Sequence, residues 1–115
     1  MTEDLNPQDV LEKMVKKFYD TLEEDEKLKD ELKGFERDVL INFKDRGDYS
    51  FSIKETDISE IEEGKIKDPD ITIYTDVDTL DKLMHGEIRP MEAYARKKVK
   101  IDASFMDILK IKNLL

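Results

Sequence analysis

The stretch LMHGEIRPMEAY, Leu83 to Tyr94, holds the chain's only histidine, His85, with Gly86 and Pro90 just behind it. A histidine acts as a general base or a metal ligand only with a partner. Glu87 is too close in sequence to complete a recognised site, and there is no second histidine and no cysteine to join it. His85 therefore reads as a structural residue near a helix C-terminus, where the partial negative charge of the helix end favours a cation-capable side chain. Asp76, Asp78 and Glu87 also imitate ligand positions one, three and twelve of a calcium loop. Leu80 stands at position five, and Asp81 stands where that loop needs glycine. With Val77, Leu80 and Leu83 at helical spacing, a helix is the better reading of the segment. Ser50, Ser52, Ser59 and Ser104 lack the G-x-S-x-G setting of a nucleophile elbow, and the 4 glycines are too scattered to form a phosphate loop. With 29 carboxylates in the chain, nominating any one pair as acid and base says little. No catalytic residue, metal site or cofactor is expected, and the chain does not read as an enzyme.

A chain of 115 residues fits one domain, taken here as residues 1–115. The formal net charge of -9 repels nucleic acid and anionic lipid headgroups at long range. Its basic residues are scattered except for Arg96, Lys97, Lys98 and Lys100, a small cluster able to meet a single anionic headgroup or phosphate. The absence of cysteine excludes disulfides, a thiolate nucleophile and cysteine-based metal sites. MTEDLNPQDV is acidic and unlike a secretion signal, and no apolar run approaches the ~20 residues that a membrane span needs. The expectation is a cytoplasmic protein with no nucleic-acid partner and no stable membrane insertion.

The elements follow from the spacing of apolar residues. Asn6 caps and Pro7 opens a first helix with Val10, Leu11, Met14, Val15, Phe18 and Leu22 on one face. From Glu23 to Lys33 the pattern thins to a fraying continuation or a second short helix, ending at Gly34. Val39, Ile41 and Phe43, then Tyr49, Phe51 and Ile53, alternate with polar or outward residues as two half-buried strands. Turn residues Asp45 to Asp48 join them into a hairpin. Ile58 and Ile61 mark a weaker third strand, Ile71 to Tyr74 a fourth and Val99 to Ala103 a fifth. Clean alternation implies an α+β fold, a five-stranded, mostly antiparallel sheet with helices packed on one face. Thr75 or Asp76 caps the helix carrying Val77, Leu80, Leu83 and Met84; Gly86 stops it, and Pro90 opens another with Met91 and Tyr94.

The last segment, SFMDILKIKNLL, is the anomaly. Ser104 with Asp107 forms an N-cap pair. Phe105, Met106, Ile108, Leu109, Ile111 and Leu115 then cover more than half the helix circumference, with Leu114 outside that arc. That is more apolar surface than one sheet contact can cover. The helix is therefore deeply buried, or roofs a ligand cavity, or docks on a partner. Met84, Met91 and Met106 offer adaptable walls for such a cavity.

From about Asp70 to Leu115 the chain resembles the sterol carrier protein 2 family, also called the sterol-binding domain. The matching residues, in order, are Ile71-Thr72-Ile73, Leu83-Met84-His85-Gly86-Glu87-Ile88-Arg89-Pro90, Ala93-Tyr94, Lys98-Val99-Lys100-Ile101 and the closing Leu109-Lys110-Ile111-Lys112-Asn113-Leu114. Met1 to Lys67 agrees in layout only. The resemblance implies a five-stranded sheet with helices on one face, enclosing an apolar tunnel for sterols, fatty acids or acyl-coenzyme A esters. It implies Phe105, Met106 and Leu109 as lining residues, with Val99, Ile101 and Tyr94 nearby. Three positions depart from the family pattern. Lys97 and Ala103 stand where glycine is common, and Met106 stands where the residue is often small and so narrows the tunnel. The ending at Leu115 also lacks a peroxisomal S-K-L-like signal.

The expected function is non-enzymatic binding and carriage of a hydrophobic ligand, a fatty acid, acyl-coenzyme A, isoprenoid or sterol-like lipid, in an apolar cavity. The alternative is an interaction or dimerisation domain, a homodimer with a filled cavity and no ligand.

Overall fold

The computed structural model describes residues 5–114, with side-chain surroundings given through residue 111. The part of the terminal apolar face that falls on Leu114 and Leu115 lies outside those side chains.

The first helix, α1 (Pro7–Glu24), begins as its sequence dictates. The Asn6 side chain accepts a hydrogen bond from the Gln8 N–H at 2.8 Å, and Pro7 occupies the first turn, where a missing N–H costs nothing. The thinned pattern that follows is a separate short helix, α2 (Glu26–Glu31). Asp25 ends α1 and caps α2, its carboxylate accepting from the Lys27 N–H at 3.0 Å. Gly34 follows with a φ of 74°, a left-handed conformation that glycine adopts without strain.

The strands β1 (Glu36–Phe43) and β2 (Gly47–Lys54) form the antiparallel hairpin, pairing Val39 with Phe51 and Ile41 with Tyr49. The expected third strand is two short pieces, β3 (Asp57–Ile58) and β4 (Glu62–Glu63), both antiparallel to β2. Between them the Ser59 hydroxyl accepts from the Ser52 N–H at 2.8 Å, so a side chain does what a strand carbonyl would do and the ladder is interrupted. β5 (Ile71–Thr75) and β6 (Lys100–Asp102) complete a six-stranded sheet in the order β3-β2-β1-β5-β6, with β4 also against β2.

The sheet is mixed, which corrects the expectation of five mostly antiparallel strands. At its centre β1 and β5 run parallel, Val39 opposite Ile71 and Ile41 opposite Ile73, while every other pair is antiparallel. Alternation specifies which face of a strand is buried and says nothing about the direction of its neighbour.

Val39, Ile41, Phe43, Phe51, Ile53 and Ile71 present one apolar face of the sheet. Over it lie α1, with buried Val10, Leu11, Phe18 and Leu22, and α3 (Val77–Met84), with buried Leu80 and Leu83. Asp76 caps α3, accepting from the Thr79 N–H at 2.7 Å. Thr75, the other candidate, is instead fully buried in β5, where its hydroxyl donates to the Lys98 carbonyl at 3.0 Å. His85 closes α3, and Gly86 follows at a φ of 71°. α4 (Pro90–Ala95) opens on Pro90 and buries Ala93. Leu83 to Tyr94 is thus the corner between α3 and α4.

Candidate functional site

The final helix, α5 (Phe105–Leu114), is set by its first residue pair. The Asp107 N–H donates to the Ser104 hydroxyl at 3.1 Å, and the Ile108 N–H to the Ser104 carbonyl at 3.0 Å. Ile111 is buried at 8% exposure, whereas Phe105 is 73% exposed and Met106 63%. The helix therefore covers the core with one edge and leaves much of its apolar circumference open.

Beneath it is a cavity of about 90 Å³. Its floor is the sheet face, Ile41, Ile53 and Ile73 among others; Met14 and Phe18 of α1 and Leu80 and Leu83 of α3 wall it; Val99, Ile101 and Ile111 close the remaining side. The polar side chains on this lining are Thr75, already hydrogen-bonded to a carbonyl, and the half-buried Lys17. Among the described residues no buried side-chain nitrogen or oxygen lacks a partner, so no unsatisfied polar side-chain group faces this interior.

Beside the cavity an open groove of about 290 Å³ runs between α4 and α5. Leu83, Val99, Ile101 and Ile111 line both spaces and form the partition between them. A void of 90 Å³ exceeds the ~10–15 Å³ that one water needs, and the cavity and groove joined would reach the lower end of the ~300–1,000 Å³ typical of small-molecule sites.

The sequence-derived candidates divide between these places. Val99 and Ile101 line both cavity and groove, and Tyr94, Met91, Phe105 and Leu109 line the groove. Met84 packs against the core without lining either space. Met106 lines neither: at about 100° per residue it faces almost opposite Ile108, on the solvent side of α5. Sequence reasoning did not nominate Met14, Phe18, Ile41 or Ile53 as wall residues. Their inward alternation was visible, but it marks a residue as core without saying whether the core has a hollow.

His85 lies apart from these walls, its Nδ1 3.5 Å from an Asp81 oxygen and 3.8 Å from Glu87. One buried polar contact was not anticipated. Arg37 of β1 donates from Nε to Asp107 Oδ2 at 2.7 Å and from Nη2 to Oδ1 at 3.2 Å, a bidentate pair tying α5 to the sheet. That hydrogen bond, against the opposing effect of burial, raises the pKa of Arg37 above its ordinary value, so the residue stays a cation.

A mixed sheet with helices over one face and an apolar hollow under a terminal helix defines a small α+β domain with an apolar interior space. Residues 16–115 match the SCP-2 sterol transfer family, and the chain belongs to that family, whose domains bind and transfer lipids and are generally non-enzymatic. The solution structure of the sterol carrier protein domain 2 of Helicoverpa armigera is similar at a TM-score of 0.62 and 19% identity, covering 98% of this chain and 91% of that one. Palmitated SCP2L2 from Aedes aegypti gives a TM-score of 0.53 at 11% identity, over 77% and 87% of the two chains. An inverting sec-alkylsulfatase from Pseudomonas sp. is similar at 0.61 and 19% identity over 76% of this chain, which spans only 14% of that chain's length. No curated protein matches. Among the described residues no helix is long and apolar enough to cross a membrane.

Proposed function

We propose that this chain binds and carries the alkyl part of a lipid in the hollow beneath α5, without making or breaking bonds. A fatty acid, acyl-coenzyme A, isoprenoid or sterol-like molecule suits such a space. The observation that carries the reading is the partition of Leu83, Val99, Ile101 and Ile111 between an apolar cavity and an apolar groove open to the surface. A shift of these side chains joins the two, and each methylene that enters gains about 0.8 kcal/mol. Native mass spectrometry of gently purified protein should show retained lipid. Protein that is consistently empty and takes up no fluorescent fatty acid would overturn the proposal.

A second reading, a dimerisation or interaction domain with a filled cavity, is favoured by Phe105 and Met106, which stand 73% and 63% exposed on α5. A solution dimer that dissociates on Phe105→Ser, together with absent lipid uptake, would favour it over carriage.

A further inference from the structure

An amphipathic helix ordinarily buries its apolar stripe and turns its charges to water, and α5 does the reverse. Of its residues with described side chains, the two buried ones are Asp107 and Ile111, while Phe105, Met106 and Leu109 are exposed. At about 100° per residue Phe105 and Leu109 lie opposite Asp107. The helix thus turns a charged edge to the protein and leaves an apolar side open.

That charged edge is fastened at the corner between α2 and β1, around the buried ring of Phe35. Arg37, which grips Asp107 through two hydrogen bonds, has its guanidinium carbon 4.6 Å from the centre of that ring. Lys110, one turn beyond Asp107, places its ammonium 5.5 Å from the same centre and donates to the Glu31 carbonyl at 2.7 Å. That carbonyl lies where α2 ends, among those left without an intrahelical partner. On the other side of α5 the groove is apolar on both banks, Met91 and Tyr94 of α4 against Phe105 and Leu109 of α5. Water between two apolar walls is unfavourable, so such walls are drawn together unless something holds them apart.

We propose that the clasp formed by Arg37 and Lys110 with Asp107, the Glu31 carbonyl and Phe35 is a brace that holds this groove open, so that Arg37 and Lys110 are positioning residues for guest uptake. The assignment rests on the carrier reading. Without the brace α5 rolls about its axis: Ile108 takes the inward place of Ile111, and Phe105 and Leu109 close on Met91 and Tyr94. Asp107 then turns to water, and the protein's own side chains fill the groove. With the brace in place, those walls are left for a guest's chain to cover. The wall has two seats, one fastened by charge-assisted hydrogen bonds and one by apolar contact, and a guest binds only the first.

The chain has no tryptophan, so Phe105→Trp supplies a single reporter at an exposed position. In the lipid-free reporter protein the indole should emit as a solvated group. Adding Arg37→Ala and Asp107→Ala together removes the pair without stranding either charge. The emission should then move to shorter wavelength and become less open to acrylamide quenching. Uptake of a fluorescent fatty acid should weaken by about tenfold, as follows if the open seat falls to roughly a tenth of the population. Lys110→Ala, which leaves the ion pair whole, should move both readouts in the same direction by less. An unfolded double variant would move the emission to longer wavelength and lose its circular dichroism, and Lys110→Ala then decides alone. Unchanged emission and quenching in the folded variants would overturn the brace and leave the carrier reading intact. Shifted emission with unchanged uptake would overturn the link between the brace and the guest. A reporter protein that takes up no fatty acid at all would overturn the carrier reading and, with it, the brace's part in uptake.

Discussion

Arg37 on β1 and Asp107 on α5 are joined by two hydrogen bonds of 2.7 and 3.2 Å, and the Asp107 side chain is 6% exposed against 34% for Arg37. The asymmetry predicts unequal costs for removing either partner. Arg37→Ala strands a nearly buried carboxylate and should cost about 2–3 kcal/mol, whereas Asp107→Ala leaves an arginine that can turn to water and should cost about 1 kcal/mol. Urea denaturation of the two single variants and the double variant measures this. Equal single costs with no coupling would show that the pair contributes no more than a surface contact. Because the Asp107 hydrogen bond raises the pKa of Arg37 above an already strongly basic value, its stabilisation is fully present below that ordinary value. It fades only as pH climbs through the still higher folded value. The arginine's side of the pair therefore adds no pH dependence near neutrality.

Lys97 sits at a φ of 60° where a glycine would carry no steric cost. Lys97→Gly should stabilise the fold by about 0.5–1 kcal/mol, the relief of strain exceeding the added freedom of the unfolded chain. Ala103, the other position where family members commonly have glycine, is not among the positive-φ residues, so Ala103→Gly should destabilise by about 0.5–1 kcal/mol. Thermal denaturation of both should give shifts of opposite sign. A fall in melting temperature for Lys97→Gly would contradict the strain argument.

These two positions also mark how far the sequence could be read. Local chemistry was legible: Asn6 and Ser104 cap their helices where their spacing placed them, and Asp76 is one of the two caps offered for α3, because a cap needs only a side-chain oxygen and the next few N–H groups. The inward alternation of Val39, Ile41 and Phe43 was legible for the same reason, since a period of two is a property of one strand. Long-range pairing was not. The parallel partnership of β1 with β5 and the Arg37 to Asp107 contact, 70 residues apart, depend on how distant segments meet. Asp107 read only as the third residue of a cap. Six of the groove's walls, Met91, Tyr94, Val99, Ile101, Phe105 and Leu109, were nominated in advance. The hollow was expected from the resemblance, but its Met14 and Phe18 walls were not legible, because either residue has the same apolar signature beside a void as in a filled core.

His85 meets Asp81 at 3.5 Å on the surface of α3, with its side chain 47% exposed. The contact is long and half in water, so His85→Ala should change stability by no more than about 0.5 kcal/mol and lipid uptake not at all. Fluorescent fatty-acid binding measured on that variant tests this. A loss of function would return the histidine to consideration as a working residue.

Ile101 lines both the cavity and the groove, and its strand neighbour Ile73 lines the cavity, so added volume at position 101 goes into the space a guest would occupy. Ile101→Phe should therefore reduce fluorescent fatty-acid uptake by about tenfold or more. Stability should fall by no more than about 1–2 kcal/mol, because a residue beside a void tolerates enlargement better than one in a packed core. Circular dichroism and urea denaturation on the same samples separate a blocked cavity from an unfolded protein. Undiminished uptake by a folded Ile101→Phe variant would place the guest elsewhere on the molecule and overturn the carrier reading built on this partition.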